Sequence, residues 1–147
     1  MASQKTQKKK PAKKPVAIVV RGKRKESIAR ASIREGKGEV RINGFPLSVY
    51  GSPLARTLLA EPISMAGELA AKADISIIVK GGGAMGQTQA CRTAIARALY
   101  KFSGEDAALK ERMAHEDKFL LSEDVRRVEP KKYMGPKARA RFQKSYR

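Results

Sequence analysis

Between Asp74 and Leu99 the chain reads DISIIVKGGGAMGQTQACRTAIARAL: a β-branched run, three consecutive glycines, then apolar residues at helical spacing. Few local conformations join such parts. Ile75, Ile77, Ile78 and Val79 crowd the segment Asp74 to Lys80 and predict a strand. Cys91, Ile95, Ala98, Leu99 and Phe102 recur every three or four places and predict one apolar helix face, with Arg92, Arg97 and Lys101 off that stripe and Gly104 ending the helix. Glycine takes positive φ without steric cost and lets another backbone approach. A helix starting there aims free N–H groups and a positive dipole end at the loop, an arrangement suited to an anion.

The anion is either a nucleotide phosphate or an RNA backbone. A P-loop requires G-x-x-x-x-G-K-[ST], in which Lys neutralises phosphate. Here Gly81 and Gly86 have the P-loop spacing, and Thr88 supplies the hydroxyl, but Gln87 stands in place of the Lys. Lys80 lies on the other side of the loop. The missing charge argues against a nucleotide.

Charge distribution favours a polyanion. The 147 residues carry 32 Lys and Arg against 14 Asp and Glu, a net charge of +18. Residues 1–15 hold six Lys and no acid, and residues 126–147 hold nine basic residues against Glu129 alone. Residues 16–125 are nearly balanced, at +4. The expected organisation is a Lys-rich flexible extension (1–15), a globular domain (16–125) and an extended basic RNA-binding tail (126–147). Paired basic arms are the electrostatic footprint of nucleic-acid binding, without by themselves separating RNA from DNA.

Single Cys and His residues narrow the chemistry. Cys91 has no partner for an internal disulfide and falls on the apolar helix stripe, as a buried small hydrophobe does. His115, among Glu111, Glu116 and Asp117, reads as a solvated surface residue. The expectation is no metal, no cofactor, no small-molecule substrate and no catalytic residue. No apolar run approaches the ~18 residues that suggest a membrane span.

Around the glycine loop the sequence predicts further elements. Val16 to Val20 reads as a strand, Arg21 to Lys25 as a basic turn, and Ser27 to Arg34 as a second strand in imperfect alternation. Glu35 to Gly38 reads as a turn and Glu39 to Ile42 as the return arm of a hairpin with that second strand, closed by Asn43-Gly44. Pro46 opens a short helical piece, and Pro53 suits the first turn of a helix whose apolar face runs from Leu54 to Leu59. Pro62 to Lys72 continues helically, with Met65 and Leu69 packing inward, and Glu105 to Ala114 forms a short helix. The fold class is α+β, a two-layer sandwich with helices on one sheet face. In the tail, Lys131, Lys132, Lys137, Arg139, Arg141 and Lys144 interleave with Tyr133, Phe142 and Tyr146, pairing phosphate-binding cations with base-stacking rings.

Gly81, Gly82, Gly83, Gln87, Ala90, Ala94 and Arg97 sit where the signature of the small-subunit ribosomal protein S-nine family (numbered sixteen in eukaryotes) places them. GKRKESIARASIREGKGEVRINGFPL resembles that family's N-terminal hairpin, and RVEPKKYMGPKARARFQKSYR resembles its tail. The likeness covers about Val16 to Arg147, and the ending QKSYR looks like the archaeal and eukaryotic cytoplasmic branch. Met134 stands where the family often has Gly. The resemblance implies a mixed four-stranded sheet like the second domain of ribosomal protein S-five, with a left-handed βαβ crossover. It implies a cytoplasmic, non-enzymatic constituent of the small-subunit head, held on small-subunit ribosomal RNA beside neighbouring head proteins. RNA-binding residues would be Arg24, Lys25, Gly81, Gly82, Gly83, Gln87, Arg92, Arg97, Lys131, Lys132, Tyr133, Lys137, Arg139 and Arg141. Lys144, Tyr146 and Arg147 would contact the anticodon stem-loop of peptidyl-site transfer RNA.

Overall fold

Alternation decides the sheet. In a computed structural model describing residues 17–143, Ala73, Ile75, Ile77 and Val79 point into the core and Ser76, Ile78 and Lys80 point away. The strands are β1 (Ile18–Arg24), β2 (Ser27–Glu35), β3 (Val40–Ile42), β4 (Phe45–Pro46) and β5 (Ala73–Lys80). They form one sheet in the order β1-β2-β5-β3-β4, with β3 and β5 parallel and the other pairs antiparallel. The sheet is therefore mixed, but five-stranded rather than four-stranded. The added strand is the two-residue β4, which the Asn43-Gly44 turn folds back on β3, both turn residues having positive φ.

Helices α1 (Pro53–Ala66), α2 (Glu68–Ala71), α3 (Ala84–Phe102) and α4 (Ala107–Glu116) accompany the sheet. Ser52 caps α1 and Asp106 caps α4, each accepting a bond from a first-turn N–H. α3 lies across β1, β2 and β5 and also packs on α1. Its Cys91, Ile95, Ala98 and Leu99 are fully buried, as the spacing predicts. They meet Ala29, Ala31, Ile33, Ile75 and Ile77 from the sheet in one core.

Four local expectations change. β1 continues through Arg24, so the basic turn shrinks to Lys25-Glu26. In β2 the imperfect alternation becomes a regular one, with Ser27 facing inward beside Ala29 and Ala31 and Ile28 outward; the Ser27 Oγ donates to Gly81 O at 3.0 Å. Leu54 is exposed, while Ala55 and Leu59 carry the buried face of α1. α1 passes through Pro62 and stops at Ala66, because Gly67 has φ 52° and turns the chain into the short α2.

The largest difference is topological. β2 and β3 do not pair; β5 lies between them. The loop after β2 wraps the Asp74 side chain of β5 instead of making a tight hairpin. Asp74 Oδ1 accepts from Lys37 N at 2.8 Å and from Glu39 N at 3.0 Å. A Cβ on Gly36 would sit 2.0 Å from the Asp74 carboxyl carbon, so only glycine passes there. These backbone donors, Glu39 first, hold the Asp74 carboxyl below its ordinary range. Beyond the loop, Asn43 joins β3 to β5, donating to Val79 O and accepting from Val79 N at 2.9 Å.

Candidate nucleic-acid interface

The three glycines have different tasks. Gly81 (φ 79°) and Gly82 (φ 64°) are left-handed and pressed against the β1–β2 turn. A Cβ at Gly81 would lie 2.6 Å from Glu26 O, and one at Gly82 would lie 2.1 Å from Ser27 Oγ. Gly83 meets nothing within 4 Å and serves as the N-cap of α3. No side chain caps that end, and no acid occupies its first turn. Gln87 Nε2 donates to Gly81 O at 3.1 Å, so the residue in the P-loop lysine position closes the loop on itself. A shallow groove opens there, lined by Lys25, Gly82, Gly83, Met85, Arg127 and Val128 among others. Of its two cations, Lys25 is among the expected site residues; Arg127 is not, because the fold-back that brings it there leaves no local pattern.

Arg24, Arg92 and Arg97 have partners within the chain. Arg24 Nε donates to Gln89 Oε1 at 2.8 Å, its guanidinium reaches Arg126 O at 2.9 Å, and it pairs with Asp124 at 3.1 Å. Arg97 donates to Leu121 O at 2.8 Å and Arg21 O at 2.7 Å and pairs with Glu123. Arg92 lies between Glu61 of α1 and Asp117 after α4, with its side chain 17% exposed. The three arginines thus pin the connection that leaves α4 back along β1, where Arg24 and Asp124 make an isolated parallel bridge. Asp124 is held down to about 2 by hydrogen bonds from Arg126, with Arg24 adding to the effect. Arg126 also sits 5.5 Å over the Phe119 ring. Gln89 and Asp124 are partners of Arg24 that the composition of the sequence hides.

From Arg126 to Gln143 the described tail has neither helix nor strand. Met134 has φ 61°, the left-handed conformation that explains a glycine at this place. Gly135 is packed so closely that a Cβ would lie 2.0 Å from Ala140 O. Arg139 forks onto Glu129 at 2.7 and 3.0 Å, and Arg141 donates to Tyr133 O at 3.3 Å. Lys131, Lys132 and Lys137 are exposed, as are the Tyr133 and Phe142 rings. Lys144, Tyr146 and Arg147 lie outside the described residues, as do residues 1–15.

A family model described as ribosomal protein S9/S16 matches residues 22–147. The chain belongs to the ribosomal protein S9/S16 family. The small ribosomal subunit protein uS9 of Methanothrix thermoacetophila is 50% identical over 126 residues, covering 86% of this chain and 95% of the relative. That of Pyrobaculum aerophilum is 45% identical over 133 residues, covering 90% and 93%. The Halobacterium salinarum protein is 47% identical over 127 residues, covering 86% and 96%. All three relatives are archaeal, in keeping with the QKSYR ending. As a member of this family the protein is a structural constituent of the small subunit in the cytoplasmic ribosome, not an enzyme.

Proposed function

We propose that the protein binds small-subunit ribosomal RNA in the subunit head, next to other head proteins, and that its C-terminal tail reaches peptidyl-site transfer RNA. The observation that carries this reading is the exposed set Lys131, Lys132 and Lys137, without ion-pair partners among the described residues and interleaved with Tyr133, whose surface is 88% accessible. Such residues add little to a core, whereas cations neutralise phosphates and release counterions while rings stack on bases. Lys25 and the uncapped start of α3 behind Gly81, Gly82 and Gly83 offer a second backbone contact. Arg24, Arg92 and Arg97 shape the surface through their internal partners, and Gln87 holds the loop. Arg139 and Arg141 present the outer edges of guanidinium groups whose other edges order the tail. Lys144, Tyr146 and Arg147 would make the transfer RNA contact.

Deleting residues 144–147 tests the finer claim. Reconstituted subunits should assemble and sediment normally but bind peptidyl-site transfer RNA more weakly in filter assays. Unchanged affinity removes the contact. Absence of the full-length protein from subunits sedimented at high salt would remove the ribosomal RNA reading as well.

A further inference from the structure

The helices cover one side of the sheet, and the opposite side is open. On it the register sets Arg21 directly opposite Arg30, with Ile78 on the far side of Arg30 and Lys80 beside Ile28. Arg34 and Arg41 extend the same face, since their strand neighbours Ile33 and Ile42 are buried beneath. Like charges directly opposite in a sheet oppose folding. Arg30, Arg34 and Lys80 have no ion-pair partner among the described residues. Of the acids that reach this face, Glu39 pairs with Arg41 at 2.8 Å and Glu123 with Arg21 at 3.6 Å, while Asp74, opposite Arg34, is engaged by the backbone of the loop after β2. Between the cations lie the exposed aliphatic side chains Val19, Ile28 and Ile78 and the small hydroxyls of Ser32 and Ser76.

We infer that this open sheet face is a second ribosomal RNA surface, one that grips the sugar-phosphate backbone of a helix. The inference rests on the ribosomal RNA reading above and places a contact where neither the glycine loop nor the tail reaches. Several features select RNA over a protein partner. The face carries more cations than acids: Arg41 pairs with Glu39, Arg21 with Glu123, and Arg34 stands opposite Asp74, which leaves Arg30 and Lys80 without an acid in ion-pair reach among the described residues. It offers no Trp, Tyr or Phe to anchor a protein interface. Its rigid strands hold cations in rows about 4.8 Å apart, a fixed spacing that suits a regular polyanion. Lacking rings, it reads backbone rather than stacked bases.

The test is the salt dependence of full-length protein binding to protein-free small-subunit ribosomal RNA. Each cation engaged on a phosphate contributes roughly 0.7–0.9 to the slope of log affinity against log salt. The Arg30→Gln/Arg34→Gln/Lys80→Gln variant should melt like the parent and lose about 2 from that slope. An unchanged slope overturns the inference and leaves the ribosomal RNA reading standing; no salt-dependent binding by the parent overturns both. A variant that keeps the slope but no longer retains a neighbouring subunit protein makes the face a protein dock and also overturns the inference. A probe independent of these charges is Ser76→Cys carrying tethered iron, because Ser76 is exposed at the centre of the face. The buried Cys91 thiol, pushed up to about 12 by burial, stays unlabelled. Strand scission of ribosomal RNA from position 76 in assembled subunits supports the inference. Silence there, alongside scission from a Lys131→Cys control, overturns it.

Discussion

Gly22 of β1 lies directly beneath Ala90 of α3: a Cβ at Gly22 would stand 2.2 Å from the Ala90 carbonyl oxygen and 2.7 Å from Ala94 N. Helix and strand meet backbone to backbone. Ala90 and Ala94, both fully buried, complete the fit from the helix side. Neither neighbouring atom belongs to a flexible side chain, so an added methyl must push α3 away from the sheet. Gly22→Ala should therefore destabilise the protein by about 1–3 kcal/mol through overpacking, read as a lower midpoint in thermal denaturation. An unchanged midpoint would mean that α3 slides freely over β1.

The glycines of the loop should separate in their response to alanine. Gly82 is left-handed and in contact with the buried Ser27 hydroxyl, so Gly82→Ala adds backbone strain and displaces the bond from Ser27 to Gly81. The cost should be about 1–3 kcal/mol. Gly83 has φ −104° and open space around it, so Gly83→Ala should leave stability within about 0.5–1 kcal/mol of the parent, on the stabilising side if the unfolded chain loses entropy. Urea melts of the two variants decide the matter, and equal losses would refute the division of roles.

Arg92 should matter without RNA. Its removal leaves Glu61 and Asp117 facing each other without their shared cation. Fully buried pairs cost 3–5 kcal/mol to break in this way; with these carboxylates partly accessible, Arg92→Met should cost about 1–2 kcal/mol. Urea denaturation of the isolated protein is the measurement. A variant as stable as the parent that binds ribosomal RNA less tightly would instead make Arg92 a pure RNA ligand.

Acid should loosen the α4-to-tail connection. Asp124 titrates near 2 in the folded protein, below its ordinary 3.8, so its stabilising effect is complete above about 3.8 and is lost as pH falls through about 2. Asp124→Asn should lower stability at pH 7 and flatten the loss between pH 4 and pH 2, where variant and parent converge. Denaturation midpoints at pH 7, 4 and 2 test the sign. Parallel loss in both proteins would assign the acid transition to other carboxylates.

Local pattern made several elements legible. The β5–loop–α3 unit, the buried face of α3, the N-terminus of α1 at Pro53 and the basic, ring-bearing tail follow from residue spacing and charge alone. Pairing over a distance was not legible. A hairpin between β2 and β3 suits the short glycine loop, but Asp74, far along the chain, draws that loop around itself and enters the sheet between the two strands. The alternation of Arg30 and Arg34 against Ala29, Ala31 and Ile33 was readable as a face, yet nothing local says whether helices cover it.

The sequence by itself determined the strand–loop–helix unit around the glycines, the start of α1 and where the charge accumulates, because those follow from side-chain periodicity, glycine and proline conformations and simple counting. Only the tertiary structure decided which cations face outward. Arg24, Arg92 and Arg97 look as free in the sequence as Arg30 and Lys80. Folding brings carbonyls and carboxylates from residues 117–126 to the first three and leaves the other two on an uncovered sheet, because a charge is matched by what lies near it in space rather than along the chain.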